Sequence, residues 1–154
     1  MIKSYPTWLE YIKECEDLAT LIRLNVRRDG PYDAIISVSR GGHLPGAIIA
    51  NQIDIRKVYS VGVSFYDGEV KQSNALVYQD LPDDFDAKRI LVVDDICDTG
   101  ETFQFILKEL EHMPSVSTAC VYRKEKSTFI PNFRSTIIPD DEWIVLPYDV
   151  EPRI

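Results

Sequence analysis

Asp94, Asp95, Asp98, Thr99, Gly100, Glu101 and Thr102 crowd into one short stretch directly after the apolar run Ile90-Leu91-Val92-Val93. A short run of branched residues reads as a strand buried on both faces, and Thr102 to Leu110 beyond it has helical spacing. The turn between them therefore lies at the carboxyl end of a parallel strand and opens a helix. Backbone N–H groups at a helix start, with the positive end of its dipole, are suited to holding a phosphate. The adjacent carboxylates of Asp94 and Asp95 suit ribose hydroxyls or a divalent cation; as a bare solvated strand end, two unpaired carboxylates would repel. A phosphate and a sugar diol side by side make a ribose-phosphate site. Asp98 has two readings on spacing alone: a helix N-cap with Glu101 at N3, which stabilises a helix by ~1 kcal/mol, or a carboxylate that handles a proton.

A second stretch with chemical potential is Ser39-Arg40-Gly41-Gly42, after Ala34 to Val38. Glycines let a backbone approach an anion closely, and successive N–H groups can line a nest for it. Several other chemistries are excluded by spacing. There is no G-x-x-x-x-G-K-[ST] phosphate loop. Asp95 and Asp98 are not at the alternate positions of an EF-hand, and Ile96 and Cys97 are poor calcium ligands. The D-x-D of aspartyl-phosphate phosphatases is absent, and Gly41-Gly42 lacks a serine nucleophile elbow. Arg123 to Lys126 reads by itself as a solvated charge run, Trp143 as packing, and His43 and His112 as solvent-facing residues near helix ends.

These residues need a scaffold, and the pattern supplies one. Thr7 and Glu10 form a capping box before Trp8, Leu9, Ile12, Cys15, Leu18, Ala19, Ile22 and Val26, which recur at helical spacing to about Arg28. Asp29-Gly30-Pro31 ends that helix, Ala34 to Val38 is a buried strand, and Leu44 to Ala50 begins a second helix with Pro45 in its first turn. Strands follow at Val58 to Val63, Ala75 to Tyr78, Val116 to Tyr122 and Ser135 to Ile138, with a polar mobile loop expected over Asp67 to Asn74. Alternating strands and helices predict an α/β fold, a parallel sheet flanked by helices, with the site where strand ends meet helix starts.

The chain has 154 residues, the length of a single domain able to bury its own core. A net charge of -8 opposes a nucleic-acid partner, because such binding draws most of its affinity from Lys and Arg on phosphates. Cys15, Cys97 and Cys120 are odd in number and widely spaced, which suggests reduced thiols rather than disulfides or zinc. No apolar stretch approaches the ~20 residues of a membrane helix. The expected setting is cytoplasmic, with no membrane partner.

The pattern Asp-Asp-x-x-Asp-Thr-Gly-x-Thr at Asp94 to Thr102 resembles the phosphoribosyl-pyrophosphate (PRPP) motif of the type I phosphoribosyltransferases. Ser37 to Gly42 is similar to the family's pyrophosphate loop, and Asp141 to Tyr148 to the base-binding hood of the bacterial xanthine-guanine, or 6-oxopurine, members. The three run in the family's order from roughly residue 34 to 149. The resemblance implies one phosphoribosyltransferase domain over 1–154, with a small C-terminal hood formed mainly by about 123–154, and the transfer of phosphoribose from PRPP to guanine, xanthine or hypoxanthine with Mg2+. It implies that Asp94, Asp95, Thr99, Gly100, Glu101 and Thr102 bind ribose phosphate, that Asp95 also meets the metal, and that Ser39, Arg40, Gly41 and Gly42 bind pyrophosphate across a cis peptide between Arg40 and Gly41. Asp98 becomes the catalytic proton acceptor or donor, Lys124 the donor to the purine O6, Trp143 the ring that stacks on the base, and Ile144 part of the base-reading backbone. A homodimer or homotetramer is implied. The resemblance departs at the lid: the usual Ser-Tyr pair is replaced by Ser64, Phe65 and Tyr66. Two rivals remain, a non-catalytic PRPP-sensing regulator and a transferase for another base.

Overall fold

In a computed structural model of the chain, residues 2–67 and 70–149 are described, apart from the side chains of 66, 67 and 70–74. The central strands are β2 (Ala34–Val38) and β5 (Arg89–Cys97), paired in parallel with Ile35 opposite Leu91 and Ser37 opposite Val93. All five residues of β2 and the run Ile90 to Val93 are buried, as expected of strands covered on both faces. The period-2 alternation of their side chains builds two cores. Ile35, Leu91 and Val93 face one side, where α1 (Trp8–Asp29) and α2 (His43–Gln52) contribute Cys15, Leu18, Ile22, Ile49 and Ala50. Ala34, Ile36, Val38, Ile90 and Val92 face the other, against Phe103 and Ile106 of α3 (Glu101–Glu109).

The six-stranded sheet has the order β4-β3-β2-β5-β6-β7, with β3 (Val58–Asp67), β4 (Val70–Gln79), β6 (Ser115–Lys124) and β7 (Phe133–Ile138). It is mostly parallel, as expected, with one antiparallel strand at its edge, where β4 pairs with β3. The geometric reason is the connection: β4 follows β3 through a hairpin, whereas a parallel neighbour needs a crossover. The same hairpin replaces the loop expected at 67–74 with strand on either side of 68 and 69. The lid expected there lies outside the described residues in its side chains and at 68 and 69.

The Thr7–Glu10 capping box forms as expected and α1 ends at Gly30. Its buried stripe is Tyr11, Cys15, Leu18, Ala19 and Ile22, while Trp8, Leu9 and Ile12 are exposed. Helical spacing alone groups those three with the residues that are buried. A further strand, β1 (Ile2–Ser4), pairs in parallel with β8 (Glu142–Ile144), so an N-terminal strand joins the segment where a hood is expected. Cys15, Cys97 and Cys120 are free and buried, and no described helix is long and apolar enough to cross a membrane.

Candidate active site

The chain leaves β2 toward one edge of the sheet and β5 toward the other, so a crevice opens beyond the carboxyl ends of these neighbours, the position where open α/β sheets bind ligands. The two chemically promising stretches are the loops that leave these two strands. Both motifs therefore reach one place through strand pairing alone, although more than fifty residues separate them.

The first loop begins with a cis peptide between Ser39 and Arg40, one bond earlier than the Arg40 to Gly41 position expected. Around it, the Ser39 N–H donates to Val61 O at 2.8 Å and the Gly42 N–H returns to Val38 O at 2.8 Å, so the turn is closed onto both flanking strands. With those anchors on either side, the reversal is accommodated at the first peptide of the loop. The Ser39 hydroxyl donates to Gln79 Oε1 at 3.1 Å and lies 3.2 Å from His43 Nε2, and the Tyr78 hydroxyl donates to Ser39 O at 3.1 Å. His43 is exposed as expected, but it has this partner. Gly41 is needed for a different close approach from the one the sequence suggested: a Cβ there would collide with the Asp95 carboxylate.

On the second loop, β5 continues through Cys97, so Asp94 and Asp95 lie within the strand rather than beyond its end. Asp94 is buried, and its carboxyl is pushed well above the usual value of 3.8, first by loss of water and then by the neighbouring Asp95 charge. It accepts the Asp95 N–H at 2.9 Å and has no cationic partner among the described residues. The Asp95 carboxylate is held at both ends: Oδ1 accepts the Ile96 N–H at 2.6 Å and Oδ2 accepts the Tyr148 hydroxyl at 2.9 Å.

The cap of α3 is Gly100, in the left-handed region at φ 91°, with no side-chain capping bond. This removes the capping-box reading of Asp98, which stands two residues before the cap with Glu101 as the first helical residue. Asp98 instead forms an ion pair with Lys126, Oδ1 to Nζ 3.4 Å, both about half exposed. Thr99 Oγ1 donates to Glu101 Oε2 at 3.2 Å and accepts the Glu101 N–H at 3.3 Å.

Two adjacent clefts result. One, about 230 Å³, is lined by Asp94, Asp98, Thr99, Gly100, Glu101 and Thr102 with Ser64 and Phe65; the other, about 630 Å³, by Ser39, Arg40, Gly41 and Asp95 with Tyr78 and Tyr148. Val63 and Ser64 form a wall common to both. Phe65 meets Phe105 of α3 edge-on at 6.3 Å.

The residues expected at the base, Lys124, Trp143 and Ile144, line neither of these clefts. Lys124 is buried, and its ammonium donates to the carbonyls of Pro139 and Asp140 at 3.3 Å and to Glu142 O, so all three protons serve the hood backbone. Trp143 is half exposed on β8, and the Ile144 side chain is buried in the core with Tyr11 and Tyr122, leaving only its backbone for recognition. Sequence reasoning gave no role to Tyr148, Tyr78 or Gln79. No spacing signal could have found them: Tyr148 is 53 residues from Asp95 and 107 from Gly41.

Comparison with known proteins agrees with this geometry. The profile described as "Phosphoribosyl transferase domain" matches residues 1–153. A xanthine-guanine phosphoribosyltransferase of Idiomarina loihiensis is 34% identical over 144 residues, 92% of this chain and 88% of the relative. Among solved structures, a purine phosphoribosyltransferase from Pyrococcus horikoshii superposes with a TM-score of 0.82 at 28% identity, covering 100% of this chain and 99% of the other. A hypothetical protein from Neisseria gonorrhoeae with bound ppGpp gives 0.80 at 27% identity, covering 97% and 90%. With the profile spanning nearly its whole length and both motifs meeting at one crevice, the chain belongs to the phosphoribosyltransferase family.

Proposed function

We propose that the protein transfers 5-phosphoribose from PRPP to a 6-oxopurine in purine salvage. The observation that carries this reading is the meeting of the Ser39 to Gly42 loop and the Asp94 to Thr102 motif beyond β2 and β5, in a chain 34% identical to a xanthine-guanine enzyme. The 5-phosphate sits at the uncapped start of α3, on the amides of 98–102 and the hydroxyls of Thr99 and Thr102. Asp94 and Asp95 receive the ribose hydroxyls, and pyrophosphate departs toward Ser39, Arg40, Gly41 and Gly42. The bond from C1′ to pyrophosphate breaks as the bond to the purine nitrogen forms. Asp98 takes up or returns the purine proton, held in place by Lys126. Trp143 stacks on the base, and Lys124 reaches O6 by releasing one hood carbonyl.

Mg2+ fits the donor set. Adjacent carboxylates without a cationic partner are hard oxygen ligands, and among the described residues no group of three His, Cys, Asp or Glu side chains could cage a metal alone. The ion would therefore share Asp95 with substrate oxygens, where it neutralises pyrophosphate charge. The protein is cytoplasmic and a homodimer or homotetramer in this reading, and the exposed Leu9, Leu21 and Leu24 of α1 offer apolar surface for assembly.

The test is steady-state nucleotide formation from PRPP and Mg2+ with guanine, xanthine, hypoxanthine, adenine and uracil in turn. Turnover with oxopurines only is expected; turnover with adenine or uracil would reassign the base, and PRPP binding without turnover would make the chain a sensor. Asp98→Asn should lower kcat by about 10²-fold with PRPP binding changed only a few-fold. The gonococcal neighbour supports a second ligand: ppGpp, which carries a guanine, a ribose and two pyrophosphate groups, should compete with PRPP here.

A further inference from the structure

Tyr148 lies where four segments distant in sequence converge. Its ring is set by α1, edge-on to Tyr11 at a centroid distance of 5.6 Å and 6.4 Å from Trp8. The turn that presents it is closed by the Asp149 N–H to Leu146 O at 2.8 Å and by the Leu146 N–H to Asp149 Oδ2 at 3.0 Å. Its hydroxyl has two acceptors within reach, Asp95 Oδ2 at 2.9 Å and Gly41 O at 3.3 Å, and the Tyr11 hydroxyl lies 3.3 Å away.

A phenol has one proton to give. The charged and nearer acceptor, Asp95, takes it, since hydrogen bonds to an ionised group are the stronger ones. The lone pairs of Tyr148 are then left to accept from Tyr11, which is fully buried and has its proton to place. The bonds thus run in one direction, Tyr11 to Tyr148 to Asp95.

The other Asp95 oxygen is bound to the Ile96 N–H at 2.6 Å. One end of the carboxylate is therefore fixed by its own backbone and the other by Tyr148, while the missing Cβ of Gly41 leaves room for it against the loop. Asp95 lines the cleft together with Ser39, Arg40, Gly41 and Tyr148. Removing the hydroxyl frees the carboxylate to turn about its last bond, next to the buried Asp94.

We propose that Tyr148 is a positioning residue for PRPP, holding the Asp95 carboxylate in its ligand-binding orientation before substrate arrives. The proposal rests on the PRPP reading above. It assigns to the hood a task on the ribose-phosphate side, separate from recognition of the base.

The test is calorimetric titration of the full chain with PRPP in the presence of Mg2+, for wild type, Tyr148→Phe, Asp95→Ala and the double variant, together with guanine kinetics. Tyr148→Phe keeps the ring against Tyr11 and Trp8 and removes only the hydroxyl. It should weaken PRPP binding about tenfold, the loss of one bond to a charged group, and leave the guanine KM within twofold. In the Asp95→Ala background the same change should move PRPP affinity by less than twofold, because the partner through which Tyr148 acts is gone. Unchanged PRPP affinity in Tyr148→Phe, an equal loss in both backgrounds, or a guanine KM shifted as much as the PRPP constant would overturn the proposal. Wild-type protein that binds no PRPP would overturn the PRPP reading itself, a result distinct from wild-type binding that Tyr148→Phe leaves intact.

Discussion

Asp94 illustrates how a carboxylate in a candidate site acts against stability. It is buried beside a like charge, so the folded chain favours its neutral form and its carboxyl is raised well above 3.8. The sign follows from linkage: its contribution is intact below the ordinary aspartate range and is lost as pH rises through the raised folded value. Asp94→Asn removes that dependence and keeps an oxygen for the Asp95 N–H. In the ligand-free protein the variant should melt roughly 5 °C higher at pH 8, with a smaller gain at pH 5, and should bind PRPP about tenfold more weakly. An equal or lower midpoint at pH 8 would mean that Asp94 is already compensated in the fold. Lys124 has the opposite character, because the three carbonyls it serves make it a structural clamp as well as a candidate base contact.

At the scale of elements, the unit that matters is the turn from β5 into α3 and the loop that braces it. Phe129 stacks on Phe103 at 5.3 Å, the Thr128 hydroxyl donates to Thr99 O at 3.3 Å, and Gly100 lies directly over Phe129. The residue at 100 must take φ near +91°, which costs a non-glycine about 1–2 kcal/mol, and a Cβ there would also meet the Phe129 side chain. Gly100→Ala should therefore destabilise the protein by about 2 kcal/mol or more in urea unfolding. It should also weaken PRPP at least tenfold with little change in the guanine KM. A variant with wild-type PRPP affinity would show that the turn does not carry the phosphate.

For the whole molecule, the two cores lie on opposite faces of one sheet and share its central strands, while β1 and β8 join the two ends of the chain. No part owns a core that it could keep alone. Heating should give one cooperative transition, with far- and near-ultraviolet circular dichroism coinciding, and PRPP with Mg2+ should raise its midpoint. Two separated transitions would mean that the hood or one layer folds as a unit of its own.

The local code was legible because local physics writes it. The branched run at Ile90 to Val93, the Thr7–Glu10 capping box and the Gly30 stop depend on neighbours in sequence, and so does the start of a helix after Asp98 to Gly100. Family resemblance over Asp94 to Thr102 and Ser39 to Gly42 supplied the substrate class. Other features belong to packing at a distance, and no spacing could announce them. The antiparallel β4 depends on a hairpin, and β1 on a strand offered about 140 residues later. The choice of Tyr11 over Ile12 as a core residue depends on which face of α1 meets the sheet. Only the tertiary structure could bring Tyr148 to Asp95 and Gly41, because a hydrogen bond between residues 53 and 107 positions apart exists only after sheet, helix and hood have docked.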